Sequence, residues 1–211
     1  MNLLYSWLIG ETHVMMMRRG KHSKKTVTQL ISDVNEMVTN MLDDEDCKVG
    51  GEGIVVEIDE SKLSKRKFHR GHRVEGVWVI GGVERTAERK VFLVQVERRD
   101  TDTISEVITN HVLPGSIIHT DCWRGYSFLE TTNDYTHMTV NHSQHFKDPE
   151  TGVHTNTIEG TWAAIKAKIA KRYRCESGIQ NHLGVFIWRR QNCENLWKAI
   201  ITALTDYHWV E

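Results

Sequence analysis

Apolar residues recur every three or four positions in the first part of the chain, which is the spacing of an amphipathic helix. The pattern runs through Val27–Met41, and Ser23 just before it is of a residue type preferred as a helix N-cap. We expect residues 1–10 to form a helix rather than a signal peptide, because they lack the basic start and the small-residue cleavage site of a signal peptide. Acidic residues and glycines at 43–53 end this region. We therefore expect residues 1–46 to form a small helical appendage.

Short runs rich in β-branched and aromatic residues begin after Gly53 and predict strands. The predicted strands are Val55–Glu60, Val77–Val83, Val91–Val96, Ser116–Thr120 and Tyr135–Val140. Helical spacing returns at Thr103–Val112, Thr157–Tyr173 and, roughly, Ile179–Tyr207. A meander of three strands, a crossover helix, and then further strands and helices indicate an α/β fold over residues 53–211.

The composition excludes several classes of protein. With 211 residues, of which 39% are hydrophobic, the chain can form one domain with a small appendage. The four cysteines form no CxxC pair, so we expect reduced thiols and an intracellular protein rather than a disulfide framework or a zinc ribbon. No apolar run has the length of a membrane span. The net charge of −1 does not by itself indicate a nucleic-acid binder, but an acidic site and basic patches would cancel in that sum.

Three acidic residues, Asp59, Asp121 and Glu159, stand where predicted strands end or a helix begins. Because side chains alternate along a strand, Glu57 and Asp59 share one face while Glu60 points to the other. If the first and fourth predicted strands are neighbours, the two aspartates approach each other across the sheet. Carboxylates from two strands and a helix could hold divalent cations, which prefer oxygen ligands. Two such ions can catalyse an in-line displacement at a phosphodiester.

Each of these acids also has an ordinary structural interpretation. An aspartate at the end of a strand is usually a turn former or a helix N-cap. A glutamate in the first turn of a helix is favoured by the helix dipole. Spacing and composition alone therefore leave the metal site as the less favoured alternative.

Four blocks that surround the three acids occur in a fixed order. They are Val56–Ser61, Ile118–Tyr126, Val140–Ser143, and Gly152–Trp162 with the following Ile165-Lys166. Together they resemble the signature of the Merlin-type DDE transposases and of their bacterial insertion-sequence relatives, which share an ISXO-like transposase domain. The resemblance extends from about Val55 to about Arg190.

The resemblance implies a ribonuclease-H-like α/β fold, in which a mixed sheet is flanked by helices. Asp59 and Asp121 would come from adjacent central strands and Glu159 from a later helix, and the three would be both the catalytic residues and the ligands of two Mg²⁺ or Mn²⁺ ions. The reaction would be hydrolysis at transposon ends in double-stranded DNA, followed by attack of the freed 3′-OH on target DNA. Paired DNA ends would require a homodimer or a higher multimer. The protein would act in the nucleus of a eukaryote or in the cytoplasm and nucleoid of a bacterium.

The third ligand has an alternative, because some members of this family carry Asn in the third catalytic block and Asn156 lies one turn before Glu159. We favour Glu159, since a carboxylate neutralises a divalent cation and an amide does not. Asn156 and Lys166 lie on the same helix face as Glu159 and would be supporting residues. The resemblance places His142 close to the active site, where it would contact DNA or order the metal ligands.

Basic residues are candidate DNA contacts. One run, SKLSKRKFHRGHR, follows Asp59 directly, and a second continues the helix of Glu159. The helix after Ser23 resembles a recognition helix, which would make residues 1–46 a remnant helix-turn-helix segment. The candidates are Lys62, Lys65, Arg66, Lys67, Arg70 and Arg73 in the first run, Lys168, Lys171 and Arg172 in the second, and Lys24 and Lys25 near the N-terminus. The alternatives are a solvated loop or localisation signal, an exposed helix face, and a plain amphipathic helix packed on the catalytic domain.

Three functions are compatible with the sequence. The first is a DDE transposase that cleaves and joins DNA. The second is a host-recruited DNA-binding protein that keeps the fold without cutting, which a substitution at a catalytic position would have favoured. The third is a hydrolytic nuclease of the same fold. All three acids are present, so we favour the transposase.

Overall fold

The computed structural model describes residues 2–43, 45–63, 76–141 and 152–207. It divides into two compact units. One consists of Met1–Asp43 with Gly184–Glu211, and the other consists of Asp44–Leu183. The larger unit contains the β-sheets and the smaller one is helical.

The five strands predicted from the sequence occur in the predicted order, and two short strands occur in addition. The strands are β1 Val49–Gly50, β2 Val55–Lys62, β3 Trp78–Glu84, β4 Val91–Val96, β5 Val112–Leu113, β6 Ile117–Asp121 and β7 Thr136–Val140. The α-helices are α1 Asn2–Leu8, α2 His13–Gly20, α3 Lys24–Asn40, α4 Thr101–His111, α5 Asn156–Lys168, α6 Ile179–Gln191 and α7 Leu196–Asp206. Short 3₁₀ helices occur at Glu45–Cys47, Arg124–Glu130 and Lys171–Tyr173.

The central sheet has five strands in the order β4-β3-β2-β6-β7. Strands β2, β3 and β4 form the predicted antiparallel meander, whereas β2 pairs with β6 and β6 with β7 in parallel. A second, two-stranded sheet joins β1 and β5 in parallel. This mixed α/β arrangement agrees with the ribonuclease-H-like fold, and the first and fourth predicted strands, β2 and β6, are indeed neighbours.

One face of the central sheet is apolar and packs against α4. Ile58 of β2, Ile80 of β3 and Ile118 of β6 are fully buried there with Ile104 and Ile108 of α4. Complete burial of one such side chain contributes about 1.5–3 kcal/mol. Strand alternation turns the residues between them toward the opposite face, which is the face that α5 covers.

Two predicted helices end earlier than their apolar spacing suggested. The helix predicted to reach Tyr173 ends as α5 at Lys168, because the Arg174 side chain donates hydrogen bonds to the carbonyls of Lys166 and Ile169 at the C-terminus of α5. Lys171 and Arg172 therefore lie on a separate 3₁₀ turn and not on the helix of Glu159. The helix predicted over roughly Ile179–Tyr207 is interrupted after α6, and α7 starts anew with Asn195 as its N-cap.

The smaller unit joins the first three helices to the last part of the chain. Trp7 contacts Trp188 with ring centroids 6.1 Å apart and donates its indole N–H to Asn35 at 2.9 Å. Arg189 donates to the carbonyls of Trp7 and Leu8 at 2.7 and 2.8 Å. The sequence pattern placed residues 184–211 with the β-rich domain, whereas these contacts group them with the N-terminal helices.

A tight turn connects α2 and α3. Lys21 closes α2 in the left-handed conformation, with φ of 52°, and Ser23 caps α3 by accepting a hydrogen bond from Thr26 N at 3.1 Å. The N-cap predicted at Ser23 is therefore confirmed. Lys24 and Lys25 form the exposed first turn of α3.

Within the described ranges, no helix combines the length and the apolar character that crossing a membrane requires.

Candidate active site

Asp59 and Asp121 lie at the same edge of the central sheet. Their strands are parallel neighbours in which Glu57 stands opposite His119, and each aspartate comes two residues later on its own strand. Both aspartates therefore lie two residues beyond the last paired positions of these strands, with their side chains on the α5 face. The backbone N–H of Trp123 donates to Asp121 Oδ1 at 2.9 Å and orients that carboxylate.

Helix α5 brings Glu159 to this face. Trp162, three residues after Glu159, donates its indole N–H to Asp59 Oδ2 at 2.9 Å. Gly81, the β3 partner of Asp59, makes room for the indole, because a Cβ atom there would lie 2.8 Å from the Trp162 ring. Glu159 itself is exposed, and the Thr155 hydroxyl lies 3.4 Å from its Oε1.

The three carboxylates interact electrostatically. Burial is the main cause that raises the pKa of Asp59, and the negative charges of Asp121 and Glu159 raise it further. Hydrogen bonds from the backbone N–H of Glu60 and from Trp162 oppose the increase by stabilising the charged form. Mutual repulsion of this kind favours the binding of a cation between the carboxylates.

The donors fit a divalent cation in kind, since all are carboxylate oxygens. In the part of the chain that the structure describes, however, no group of three His, Cys, Asp or Glu side chains is close enough to hold a metal ion as placed. The hydrogen bonds from Trp162 and from the Trp123 backbone fix the two aspartates, while Glu159 stands exposed at the first turn of α5. The side chains, above all that of Glu159, would have to move to bring the three carboxylates within reach of one cation.

Glu60 points to the opposite face, as alternation predicted. It accepts a hydrogen bond from the Tyr126 hydroxyl, and Arg99 Nη1 lies 3.7 Å from its Oε2. Burial is the main cause that raises the pKa of Glu60 to about 7; the charges of Asp59 and Asp121 add to the increase, and the Tyr126 hydrogen bond and the Arg99 charge oppose it. The Arg99 guanidinium in turn lies 4.4 Å from the Trp78 ring centroid and 5.0 Å from that of Trp123.

A second polar cluster lies beside the aspartates on the α5 face and was not recognised in the sequence. Its centre is Glu57, whose side chain is completely buried and accepts hydrogen bonds from the start of α5. His119, opposite Glu57 on β6, is also buried, and burial with the nearby Arg85 charge lowers its pKa to about 4. The imidazole is therefore neutral at pH 7. Alternation correctly placed Glu57 on the face of Asp59 but gave no sign of its partners.

The basic candidates lie in different places. Lys62 is the last residue of β2, and its Nζ lies 5.4 Å from the Trp78 ring centroid. Lys166 and Lys168 are exposed on the last turns of α5, and Arg172 stacks on Tyr173 at 4.6 Å. Lys24 and Lys25 belong to the smaller unit. Six further candidates fall outside the described residues: Lys65, Arg66, Lys67, Arg70, Arg73 and His142.

Comparison with known proteins agrees with this geometry. Residues 48–189 match the family of the ISXO2-like transposase domain. A curated protein of Haemophilus influenzae, named "Uncharacterized transposase-like protein", is 30% identical over 110 residues, which are 50% of this chain and 84% of that protein. The range matched to the family includes Asp59, Asp121 and Glu159, and with them strands β2 and β6 and helix α5.

Proposed function

Because the chain belongs to the ISXO2-like transposase family, we propose that it is a DDE transposase that cleaves DNA at transposon ends and joins them to target DNA. The observation that carries this proposal is that Asp59 and Asp121 lie toward the same ends of adjacent parallel strands, with α5 bound to Asp59 through Trp162. Helix α5 also carries Glu159, whose charge contributes to the raised pKa of Asp59 after burial and Asp121.

Asp59, Asp121 and Glu159 would hold two divalent cations, Mg²⁺ or Mn²⁺. Bound there, the ions would activate the attacking oxygen and stabilise the leaving oxygen of the phosphodiester. The Trp162 indole would orient the Asp59 carboxylate for metal binding, and the Trp123 backbone N–H would orient that of Asp121. Glu159 is favoured over Asn156 because it carries a negative charge that lies close enough to Asp59 to add, after burial and Asp121, to the raised pKa of Asp59.

Hydrolysis would consume water, break one P–O bond at the transposon end, and leave a 3′-OH and a 5′-phosphate. In strand transfer the 3′-OH would then attack a target phosphodiester and displace another 3′-OH. Both steps exchange one oxygen for another at phosphorus, so no side chain has to form a covalent bond to DNA.

Basic side chains would hold the DNA backbone around this edge of the sheet. Lys62 is the last residue of the strand of Asp59, and Lys166 and Lys168 lie on the helix of Glu159. Lys24 and Lys25 would contact DNA separately, because the α2–turn–α3 arrangement is similar to a helix-turn-helix with these lysines at the start of its second helix. A homodimer or higher multimer would be the active form on paired ends.

The test uses the full chain with Mg²⁺ and a labelled duplex taken from either chromosomal flank of its gene. Joined products would support the transposase, cleavage without joining would identify a nuclease, and binding alone would identify a DNA-binding protein. Asp59→Ala, Asp121→Ala and Glu159→Ala should each abolish cleavage, whereas Glu106→Ala, which removes an exposed acid of α4, should not. Cleavage that survived all three substitutions would show that the site lies elsewhere.

A further inference from the structure

Glu57, like Glu60, is an acidic residue of β2 that the proposed chemistry does not use, and its side chain is completely buried. A buried carboxylate is stable only where hydrogen bonds and opposite charges replace its water. The partners that Glu57 has are therefore informative about its role.

Those partners belong to the first turn of α5. Glu57 Oε2 accepts hydrogen bonds from the backbone N–H groups of Thr157 at 2.7 Å and Ile158 at 3.0 Å. Glu57 Oε1 accepts a third from the Thr157 hydroxyl at 2.8 Å. These two N–H groups are the ones that an N-cap side chain ordinarily binds.

Helix α5 is capped differently from helices α2, α3, α4 and α7. Helices α2, α3, α4 and α7 are each capped by the side chain of their own N-cap residue, which is Thr12, Ser23, Asp100 or Asn195. The N-cap residue of α5 is Thr155, whose side chain makes no capping hydrogen bond and whose hydroxyl lies 3.4 Å from Glu159 Oε1 instead. The cap of α5 thus comes from β2, about a hundred residues earlier in the chain.

Two contacts fasten α5 along β2. Glu57 binds the backbone at Thr157 and Ile158, and Asp59 accepts from Trp162. Two residues of a strand span about 6.6 Å, and four residues of a helix span about 6 Å. The spacing of the two contacts along β2 therefore matches their spacing along α5. Glu159 lies between them and is therefore fixed in both position and rotation relative to Asp59.

Arg85 and His154 complete the cluster. Arg85 Nε lies 3.5 Å from Glu57 Oε1, and Arg85 Nη2 lies 2.6 Å from His154 Nε2. His154 Nδ1 is 3.3 Å from Glu57 Oε1 and immediately precedes the N-cap of α5. Arg85 thereby supplies the opposite charge and also holds the segment that leads into the helix.

From this arrangement we propose that Glu57 is a positioning residue, which caps α5 from β2 and so sets Glu159 in register with Asp59. The inference rests on the proposed function for its catalytic consequence, but the capping itself is a separate claim. Glu57 would act through Glu159 and would touch neither DNA nor metal.

The test compares Glu57→Ala with Glu57→Gln and with Asp100→Ala. Gln keeps one oxygen that can accept both backbone N–H groups, whereas Ala removes the cap. Asp100→Ala removes the cap of α4, where Asp100 Oδ1 accepts from Thr103 N at 3.0 Å, and is a control of matched type on a helix without a candidate ligand. Thr157→Val, which removes one of the three hydrogen bonds, serves if Glu57→Ala does not fold.

We expect Glu57→Ala to lower kcat by about ten- to a hundredfold with KM for DNA little changed, because small misplacements of reacting groups have effects of this size. Glu57→Gln should restore kcat to within about threefold, and Asp100→Ala should leave it unchanged at comparable thermal stability. Mn²⁺ affinity without DNA should fall in Glu57→Ala and Thr157→Val only. A kcat in Glu57→Ala equal to that of Asp100→Ala, or a Glu57→Gln as defective as Glu57→Ala, would overturn the proposal.

Amide hydrogen exchange separates failure of the inference from failure of the proposed function. In Glu57→Ala the amides of Thr157, Ile158 and Glu159 should exchange faster, with the α4 amides unchanged. If the natural protein cleaved no DNA but Glu57→Ala showed this faster exchange, the transposase proposal would fail and the proposed cap would stand. If it cleaved DNA and Glu57→Ala left both exchange and Mn²⁺ affinity unchanged, the cap would fail alone.

Discussion

The two faces of the central sheet are held by different kinds of contact. Toward α4, strand β2 contributes Val56 and Ile58 to an apolar core, with Glu60 as the acidic exception. Toward α5, the same strand presents Glu57 and Asp59, each of which accepts hydrogen bonds from a helix residue far along the chain. The apolar contacts are non-directional and supply stability, whereas the polar ones fix atoms relative to one another. A single strand therefore divides stability and positioning between its alternate residues.

Asp59→Asn tests the polar face directly, because the amide keeps an acceptor for Trp162 but lacks the charge. We expect DNA cleavage to fall about 10³-fold, since losing a ligand of the catalytic cations removes several kcal/mol of transition-state stabilisation. Thermal stability without metal should stay the same or increase, because burial disfavours the charged form and raises the pKa of Asp59. Single-turnover cleavage and thermal melts measure the two effects. An active Asp59→Asn would remove Asp59 from the site.

The neighbouring substitution Ile58→Ala tests the apolar face. Ile58 is fully buried, and truncation of such a side chain lowers the free energy of unfolding by about 2–5 kcal/mol. Cleavage per folded molecule should be unchanged, because the methyl groups removed face α4. Urea unfolding at equilibrium gives the first quantity, and cleavage normalised to folded protein gives the second. A large loss of normalised activity would show that the faces are not independent.

Glu60 should make the stability of the apolar face depend on pH. Its folded pKa of about 7 lies above the ordinary value of 4.5, so the folded protein holds the proton more tightly and loses stability as pH rises from about 4.5 to 7. Glu60→Gln removes this loss while retaining an acceptor for Tyr126. It should therefore stabilise the protein at pH 8 by about 1–3 kcal/mol and have little effect at pH 4. Thermal melts in EDTA across this range provide the measurement, and an equal effect at both pH values would contradict the raised pKa.

Trp162→Phe tests the hydrogen bond between α5 and the polar face of β2. Phenylalanine keeps most of the packing of the indole but cannot donate to Asp59. A hydrogen bond to a charged group contributes about 1.5–3 kcal/mol, so we expect cleavage to fall at least tenfold. Trp188→Phe, which alters a buried tryptophan of the smaller unit, should leave cleavage unchanged. If both variants lost the same activity, packing and not the hydrogen bond would explain the effect.

The difference between the faces also explains what could be predicted from the sequence. Alternation along β2 placed Ile58 and Asp59 on opposite faces correctly, because period two is a local property of a strand. The pairing of β2 with β6 was a condition of the prediction and was met in the structure. The partners of Glu57, the stacking of Arg99 between Trp78 and Trp123, and the end of α5 at Lys168 were not predicted. All of these depend on side chains that meet only after the chain has folded, which local periodicity does not report.

The smallest expected effect concerns DNA contact beside the polar face. Lys166 is exposed on α5, two turns after Glu159. If it neutralises one phosphate, Lys166→Gln should reduce the slope of log K against log salt by about 1 and leave sequence preference unchanged. Lys90→Gln, on the exposed β3–β4 turn, is the control. Fluorescence anisotropy of a labelled duplex at several salt concentrations gives both slopes. Equal slopes for the natural protein and Lys166→Gln would place the DNA backbone away from this end of α5, and the α5 face would then meet DNA only through its carboxylates.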